Sequence, residues 1–149
     1  MTGAATTGEE IVTGVVFRLA KVGPRFPPDS RKPLSIHFEF STADREEAVA
    51  RGKWWLSVWD LKLTSPSQAR GHLGGAGADY LPFGLTVENI RTIEVTDEPE
   101  VMLRVFRDPL PPSRLPGGEG HCGIDGLHQS KRIARYLRSA LADHAFPLE

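Results

Sequence analysis

The chain has 149 residues, and its 18 Lys and Arg residues against 19 Asp and Glu residues give a formal net charge of -1. Hydrophobic residues make up 40% and charged residues 25% of the sequence, a composition that excludes wholesale disorder. The balanced charge excludes a global attraction to nucleic acid or to anionic membranes. No run reaches the roughly 20 apolar residues of a membrane helix.

One domain is predicted over residues 10–147, and a chain of this length needs no metal or disulfide to stabilise its core. Residues 1–9 are small and polar and predict a flexible tail without a secretory signal. Leu148 and Glu149 are interpreted as a cloning remnant. Cys122 is the single cysteine, which favours a reducing compartment, the cytoplasm.

The first part of the chain alternates strand patterns with a helix pattern. Residues 11–22 are apolar at both parities, which predicts a central strand covered on both faces and ended by the prolines of 23–29. Residues 34–40 alternate apolar and polar side chains and predict a half-buried strand. The helix signals that follow are a hydroxyl cap at Ser41, acids in the first turn and a stop at Gly52.

Short strands and helices are also predicted through the rest of the chain, from residue 53 to residue 147. Aromatic and aliphatic residues over 53–63 predict a strand, and Ser65 with its following Pro and Gln predicts a short capped helix. Further short strands are predicted at 80–85, 92–95 and 101–106, with one helical turn at 86–90. Residues 108–126 hold four prolines and five glycines and predict a long loop. Residues 130–146 form the clearest helix, with Ile133, Leu137, Ala140, Leu141 and His144 on one face and Pro147 at its end.

The order of these elements predicts the fold class. Strands are interleaved with helices that are too short for most parallel crossovers. We therefore expect an α+β domain with a largely antiparallel sheet, on which short helices and a C-terminal amphipathic helix pack.

A cysteine and a histidine lie side by side in the glycine-rich residues 117–126. A nucleophilic thiol needs a base within hydrogen-bond reach. His121 is adjacent to Cys122, and adjacent side chains of an extended chain point to opposite faces, so His37 or His72 would serve better as the base. Because no nucleophile signature surrounds Cys122, the preferred interpretation is a glycine-rich turn whose cysteine is buried or unreactive. No catalytic residue is predicted.

Metal and phosphate sites are disfavoured by residue spacing. Four side chains of zinc-binding type lie in this region: His121, Cys122, Asp125 and His128. Their spacing fits neither CxxC nor HExxH, so no metal is predicted. The glycine run of 74–78 follows a helix instead of opening one, which is the wrong order for a phosphate loop. No cofactor is predicted.

Two features suggest binding surfaces. Trp55 and Trp59 share one face of the predicted strand, and an indole that stays exposed marks an interaction surface, whereas a second covering layer would make it core. The last helix carries four cations on the side away from its apolar face: Lys131, Arg132, Arg135 and Arg138. Such a stripe can contact acidic protein surfaces or nucleic-acid phosphates, and the alternative is a solvated face.

These observations favour a small non-catalytic protein-binding domain of adaptor, accessory or immunity type, with a protein as its partner. One alternative is a small hydrolase or transferase that uses Cys122 with His121 or His37. Another is a nucleic-acid-binding accessory protein that uses the C-terminal helix. No membrane association is predicted, and no pattern indicates an oligomeric state.

Overall fold

The structure, a computed structural model, describes residues 7–21, 33–74 and 79–148. Within these ranges the strands are β1 (Glu10–Ile11), β2 (Val15–Lys21), β3 (Leu56–Asp60), β4 (Tyr80–Thr86), β5 (Arg104–Arg107), β6 (His121–Asp125) and β7 (Phe146–Pro147). The helices are α1 (Thr42–Arg51), α2 (Pro66–Gly71), α3 (Val87–Thr92) and α4 (Lys131–His144), with 3₁₀ turns at Ser35–Phe38 and Gly118–Gly120. All strand pairs are antiparallel and form one sheet, in the order β1-β5-β6-β3-β2-β4-β7. The predicted α+β fold class is confirmed.

Both faces of the sheet are packed. Helices α3 and α4 and the first 3₁₀ turn cover one side, which we call the helix-covered face. Its buried strand residues are Val16, Leu56, Val58, Leu85, Val105, Cys122 and Ile124, and its covering residues include Phe38, Val87, Ile90, Ile133, Leu137 and Leu141. The other side, which we call the opposite face, holds a smaller cluster of Phe17, Leu19, Trp59 and Ala69, the last of these from α2.

The predicted first strand is split into two. β2 is a central strand between β3 and β4, as expected, and it buries side chains on both faces. The chain breaks at Gly14, whose φ of +108° lies in the left-handed region, and β1 instead pairs with β5. Residues 23–29 lie outside the described ranges. The prediction of one continuous strand was therefore wrong, because a glycine turn separates two strands that lie far apart in the sheet.

The strand predicted over 34–40 is replaced by the 3₁₀ turn at Ser35–Phe38. Its backbone bonds are local, since the Leu34 amide donates to His37 Nδ1 at 3.0 Å and the His37 amide donates to the Leu34 carbonyl at 2.9 Å. Phe38 is buried, but Leu34 and Ile36 are 46% and 40% exposed. The apolar alternation therefore does not mark a buried strand face here.

Capping signals predicted the short helices correctly. Ser41 and Asp44 cap α1 reciprocally, at 3.1 and 2.9 Å, and Gly52 ends it with a φ of +72°. Ser65 and Gln68 cap α2 in the same way, at 3.0 and 3.1 Å. These contacts join residues three positions apart, so they can be read from sequence without knowledge of the tertiary fold.

Three of the other four predicted strands have a counterpart in the sheet, and one does not. The predictions at 53–63 and 101–106 correspond to the shorter strands β3 and β5, and that at 80–85 corresponds to β4. The strand predicted at 92–95 is absent. Helix α3 runs to Thr92, and a turn begins at Val95, whose carbonyl accepts from the Glu98 amide. Ile93 and Val95 are buried without strand pairing.

The chain ends contribute to the sheet. The Gly8 amide donates to the Arg107 carbonyl at 2.8 Å, and the Arg107 amide donates to the Glu9 carbonyl at 2.8 Å, so these two tail residues extend the pairing of β1. Residues 1–6 lie outside the described ranges. Leu148, interpreted from the sequence as part of a cloning remnant, donates its amide to the Pro82 carbonyl at 3.2 Å and packs against the cluster of the opposite face.

The loop predicted over 108–126 was wrong for its second half, which forms the 3₁₀ turn Gly118–Gly120 and the central strand β6. Its glycines provide close packing. A Cβ on Gly123 would lie 2.5 Å from the Cβ of Trp55, and one on Gly120 would overlap the side chain of Thr64. Glycine is therefore required here by neighbouring side chains, and its abundance does not indicate a flexible loop.

The predicted C-terminal helix is confirmed as α4, with Ser130 at its N-cap position but without a side-chain capping bond. Ile133, Leu137 and Leu141 are buried as expected, whereas His144 is exposed. The chain leaves the helix after His144, and Pro147 belongs to β7. No helix in the ranges that the structure describes is both long and apolar enough to cross a bilayer.

Arg18 is a largely buried cation between β2, β3 and the first 3₁₀ turn, with 12% of its side chain exposed. Its guanidinium donates to the carbonyls of His37 at 3.1 Å, Glu39 at 3.0 Å and Ser57 at 2.7 Å. Its Nη1 also lies 3.6 Å from Asp44 Oδ2. Burial lowers the pKa of Arg18 and the charge of Asp44 opposes this effect, but an arginine stays protonated. The side chain thus ties the segment before α1 to the sheet.

We expect Arg18→Ala to lower the free energy of unfolding by about 3 kcal/mol, because it leaves three carbonyls and the buried Asp44 without their cation. Chemical denaturation would measure this loss. Lys21→Ala, at the exposed end of the same strand, is the control and should change stability by less than about 0.5 kcal/mol. Equal stability of the two variants would contradict the role given to Arg18.

We expect Gly123→Ala to cost about 2 kcal/mol, because the added Cβ meets the Cβ of Trp55, which cannot rotate away without moving its backbone. The same denaturation experiment, followed by tryptophan fluorescence, would report it. Gly71→Ala is the matched control, since nothing lies within 4 Å of the added Cβ and α2 tolerates alanine. A neutral Gly123→Ala variant would show that the contact with Trp55 is loose.

Candidate functional site

The thiol of Cys122 lies in the core of the helix-covered face, with 0% of the residue exposed. Its Sγ donates to the Gly120 carbonyl at 3.4 Å. Burial raises the pKa of Cys122 to about 12, against the opposing charge of Arg107, so the thiol is protonated at neutral pH. Both properties disfavour a nucleophilic role, which needs an accessible thiolate.

The three histidines proposed as bases for Cys122 lie elsewhere. His121 points to the opposite face, because it precedes Cys122 on β6. His37 lies in the first 3₁₀ turn, where its Nδ1 accepts the Leu34 amide hydrogen. His72 sits beside Trp59 on the opposite face, with 5.3 Å between the ring centroids, and its Nε2 is 3.0 Å from the Pro116 carbonyl. The predicted candidates are thus distributed over different parts of the fold.

The candidate metal ligands are also dispersed. Cys122 faces the core, His121 faces the other way, and His128 stacks on Trp54 with 4.1 Å between ring centroids. Among residues 7–21, 33–74 and 79–148, no group of three or more His, Cys, Asp or Glu side chains is arranged to hold a metal ion. Of the glycine run at 74–78, only Gly74 falls within these ranges.

Trp55 and Trp59 share the opposite face of the sheet but have different surroundings. Trp59 is 7% exposed and packs in the cluster with Phe17. Trp55 is half-buried and stacks on Phe106, with 5.4 Å between ring centroids and 12° between planes. The Lys53 ammonium lies 4.7 Å from the Trp55 ring centroid. Trp59 is therefore a core residue, whereas Trp55 presents part of its ring surface to solvent.

The outward side of α4 carries most of the predicted cationic stripe. We call it the basic face, and it consists of Lys131, Arg132, Arg135, Tyr136 and Ser139, which line a shallow depression. Tyr136 is 51% exposed. Arg138, the fourth predicted cation, is half-buried at the margin of this surface. A second depression shares Ser139 with the first and extends to Leu34 in front of the 3₁₀ turn.

A polar network that the sequence analysis missed lies on the opposite face. Ser57 Oγ and His121 Nε2 form a short hydrogen bond. On its other side, His121 Nδ1 lies 2.9 Å from the Asp108 carbonyl oxygen and 3.7 Å from Asp108 Oδ2. The Asp108 carboxylate in turn accepts two hydrogen bonds from Arg51, at 3.1 and 2.9 Å. A hydroxyl, an imidazole and a carboxylate are thus connected in sequence.

Strand pairing brings these residues together. His121 pairs with Trp59 across β3 and β6, which places Ser57 diagonally beside it. Asp108 directly follows β5, and its amide donates to the His121 carbonyl at 3.0 Å. The network was missed because residues 108–126 were interpreted as a loop. The alternation of Cys122 and Ile124 with glycine at 123 was the signal for a strand there.

The surroundings of His121 control its protonation. The imidazole is 14% exposed, and the Trp59 ring contacts it in a T-shaped arrangement, with centroids 4.9 Å apart. Burial lowers the pKa of His121, and the charge of Asp108 opposes this effect. The ring is therefore neutral at physiological pH and can accept a proton.

We expect Cys122 to react with iodoacetamide at neutral pH far more slowly than a free thiol, because its thiolate is unpopulated and its side chain is buried. Mass spectrometry would follow the alkylation. In denaturant the same cysteine should react at the rate of an ordinary thiol, which controls for reagent quality. Rapid alkylation of the folded protein would restore the cysteine-dependent interpretation.

Comparison with protein-family models, with curated proteins and with solved structures found no match to this chain.

Proposed function

We propose that this domain is a protein-binding module that docks through the basic face of α4 on an acidic segment of a partner protein. The observation that carries the proposal is the outward presentation of Lys131, Arg132 and Arg135 around a tyrosine that is 51% exposed. Arginine and tyrosine are the residue types that contribute most to binding energy at protein interfaces.

The rigidity of α4 supports this role. Ile133, Leu137 and Leu141 fix the helix on the sheet, so the side chains of its outer surface start from a defined backbone. Binding to a rigid helix loses less conformational entropy than binding to a mobile loop. A partner segment with carboxylates at helical or extended spacing could pair with Arg132 and Arg135 together.

The second depression offers an apolar anchor beside these charges. Leu34 is 46% exposed and lies next to Ser139, Ala142 and Asp143 of α4. An apolar side chain of the partner that inserts there would exclude water close to the charge pairs. The combination of an apolar contact and a cationic rim suits a protein segment better than a phosphate backbone, which has no apolar side chain to bury.

Nucleic acid is the competing ligand, because the same cations can neutralise phosphates and Tyr136 can stack on a base. The net charge of -1 and the nearby acidic turn disfavour nucleic acid and an acidic protein segment alike. Glu98 of that turn lies close enough to Arg132 for the arginine charge to oppose the rise in its pKa, which the neighbouring Glu100 causes. This turn repels any acidic ligand, so the preference for a protein segment rests on the apolar contact at Leu34.

The proposal is tested by comparing two charge-reversal variants as baits in a nuclease-treated lysate of the source cells. Arg132→Glu/Arg135→Glu alters the basic face, and Arg45→Glu/Lys62→Glu makes the same change in net charge at exposed positions elsewhere. We expect wild type and the control to retain one stoichiometric partner. The basic-face variant should bind that partner at least about tenfold more weakly.

Thermal unfolding of both variants would verify that each is folded, and size-exclusion chromatography would verify the complex. Equal capture by the two variants would place the docking surface elsewhere. Salt-sensitive binding of short labelled DNA or RNA that is lost only in Arg132→Glu/Arg135→Glu would contradict the proposal and identify nucleic acid as the ligand of the basic face.

A further inference from the structure

We propose that Ser57 and His121 form a nucleophile and general base that cleave carboxylic esters with an aromatic group, in a site separate from the basic face. The proposal rests on the chain of contacts from Ser57 Oγ through the two ring nitrogens of His121 to Asp108. Nucleophilic serine chemistry needs a base that accepts the hydroxyl proton and a third group that orients the base.

The hydrogen-bond partners determine which nitrogen of His121 carries the proton. The carbonyl oxygen of Asp108 only accepts, so Nδ1, 2.9 Å away, must be the donor. In the neutral ring Nε2 then has a free lone pair, and the Ser57 hydroxyl must donate to it. This is the direction of proton transfer that activation of the hydroxyl requires. Burial of the imidazole favours its neutral form before the reaction.

The charged groups around His121 favour its protonated form during the reaction. Asp108 Oδ2 lies 3.7 Å from Nδ1 and would stabilise the imidazolium that forms when Ser57 loses its proton. Arg51 holds that carboxylate by two hydrogen bonds and reduces its effect by neutralising part of its charge. Asp108 is thus a positioning residue, whereas Ser57 and His121 touch the reacting atoms.

The aromatic group of the substrate is inferred from the residues beside Ser57. Gly123 is the cross-strand partner of Ser57, and the Trp55 side chain lies directly over Gly123. Trp55 stacks on Phe106, and both rings are half-buried. A planar group that packs against this aromatic pair would bring its ester bond next to the serine hydroxyl.

The reaction needs no further reagent than water. Ser57 Oγ forms a bond to the ester carbonyl carbon while its proton moves to His121 Nε2. The bond between the carbonyl carbon and the alcohol oxygen then breaks, and His121 returns the proton to the departing alcohol. Water attacks the acyl-serine with His121 again as base, which releases the carboxylic acid and restores the serine hydroxyl.

A fluorophosphonate probe with an aryl group tests the site, because an activated serine displaces its fluoride and keeps the phosphonyl group. We expect one phosphonyl group per chain, located at Ser57 by peptide mass spectrometry, and turnover of p-nitrophenyl acetate by the same protein. Ser57→Ala should abolish both, and His121→Gln should lower both at least about a hundredfold. Ser67→Ala, at an exposed position in α2, is the matched control and should behave as wild type.

The wild-type measurement alone can overturn the proposal, so it does not depend on the variants being folded. Absence of phosphonylation at Ser57 in the folded protein would show that the hydrogen bond to His121 is structural. Labelling of Ser57 that persists unchanged in a folded His121→Gln variant would remove the histidine from the role of base. Neither result affects the docking proposal, because that proposal depends on the basic face of α4 and not on Ser57 or His121.

Discussion

The indole of Trp55 rests on the backbone of Gly123, where a Cβ would come within 2.5 Å of the tryptophan Cβ. This contact lets β6 lie in the middle of the sheet, paired with β3 on one side and β5 on the other. The position of β6 then determines the surroundings of two reactive side chains. Cys122 is turned into the core, where burial raises its pKa, and His121 is turned towards Ser57 and Asp108. The alternation of side chains along β6 therefore turns one of these two neighbouring groups into the core and the other towards Ser57.

Arg18 connects β2, on the other side of β3 from β6, to the segment before α1. Two residue pairs are in register between β2 and β3. Beyond them, the guanidinium of Arg18 donates to the Ser57 carbonyl, which would accept from a backbone amide if the pairing of the two strands continued. Its other hydrogen bonds satisfy the carbonyls of the segment before α1, which therefore needs no strand partner. A charged residue inside a strand pattern usually marks a solvent-facing position. Here its hydrogen bonds and the nearby carboxylate of Asp44 offset the cost of burying it.

Local and non-local signals differed in what they revealed about the fold. The helix boundaries at Ser41, Gly52 and Ser65 were predicted correctly, because each depends on contacts within one turn of the chain. The strand at β6 was missed, because Gly123 and the preceding Gly120 are explained only by the side chains of Trp55 and Thr64, which are distant in sequence. For the candidate sites, the cationic side of α4 followed from helical periodicity. The link between Ser57, His121 and Asp108 requires the register of three strands, which alternation in one segment does not define.

The two proposed activities occupy different sides of the molecule, which allows them to be separated physically. The basic face lies on the outer surface of α4, and Ser57 with His121 lies on the sheet face turned away from that helix. The pKa of His121 is shifted by its own burial and by Asp108, Asp44 and His72, all of which lie outside α4. A partner that covers α4 would leave the aromatic pair and the serine open to a small ester, so docking and hydrolysis can coexist in one domain.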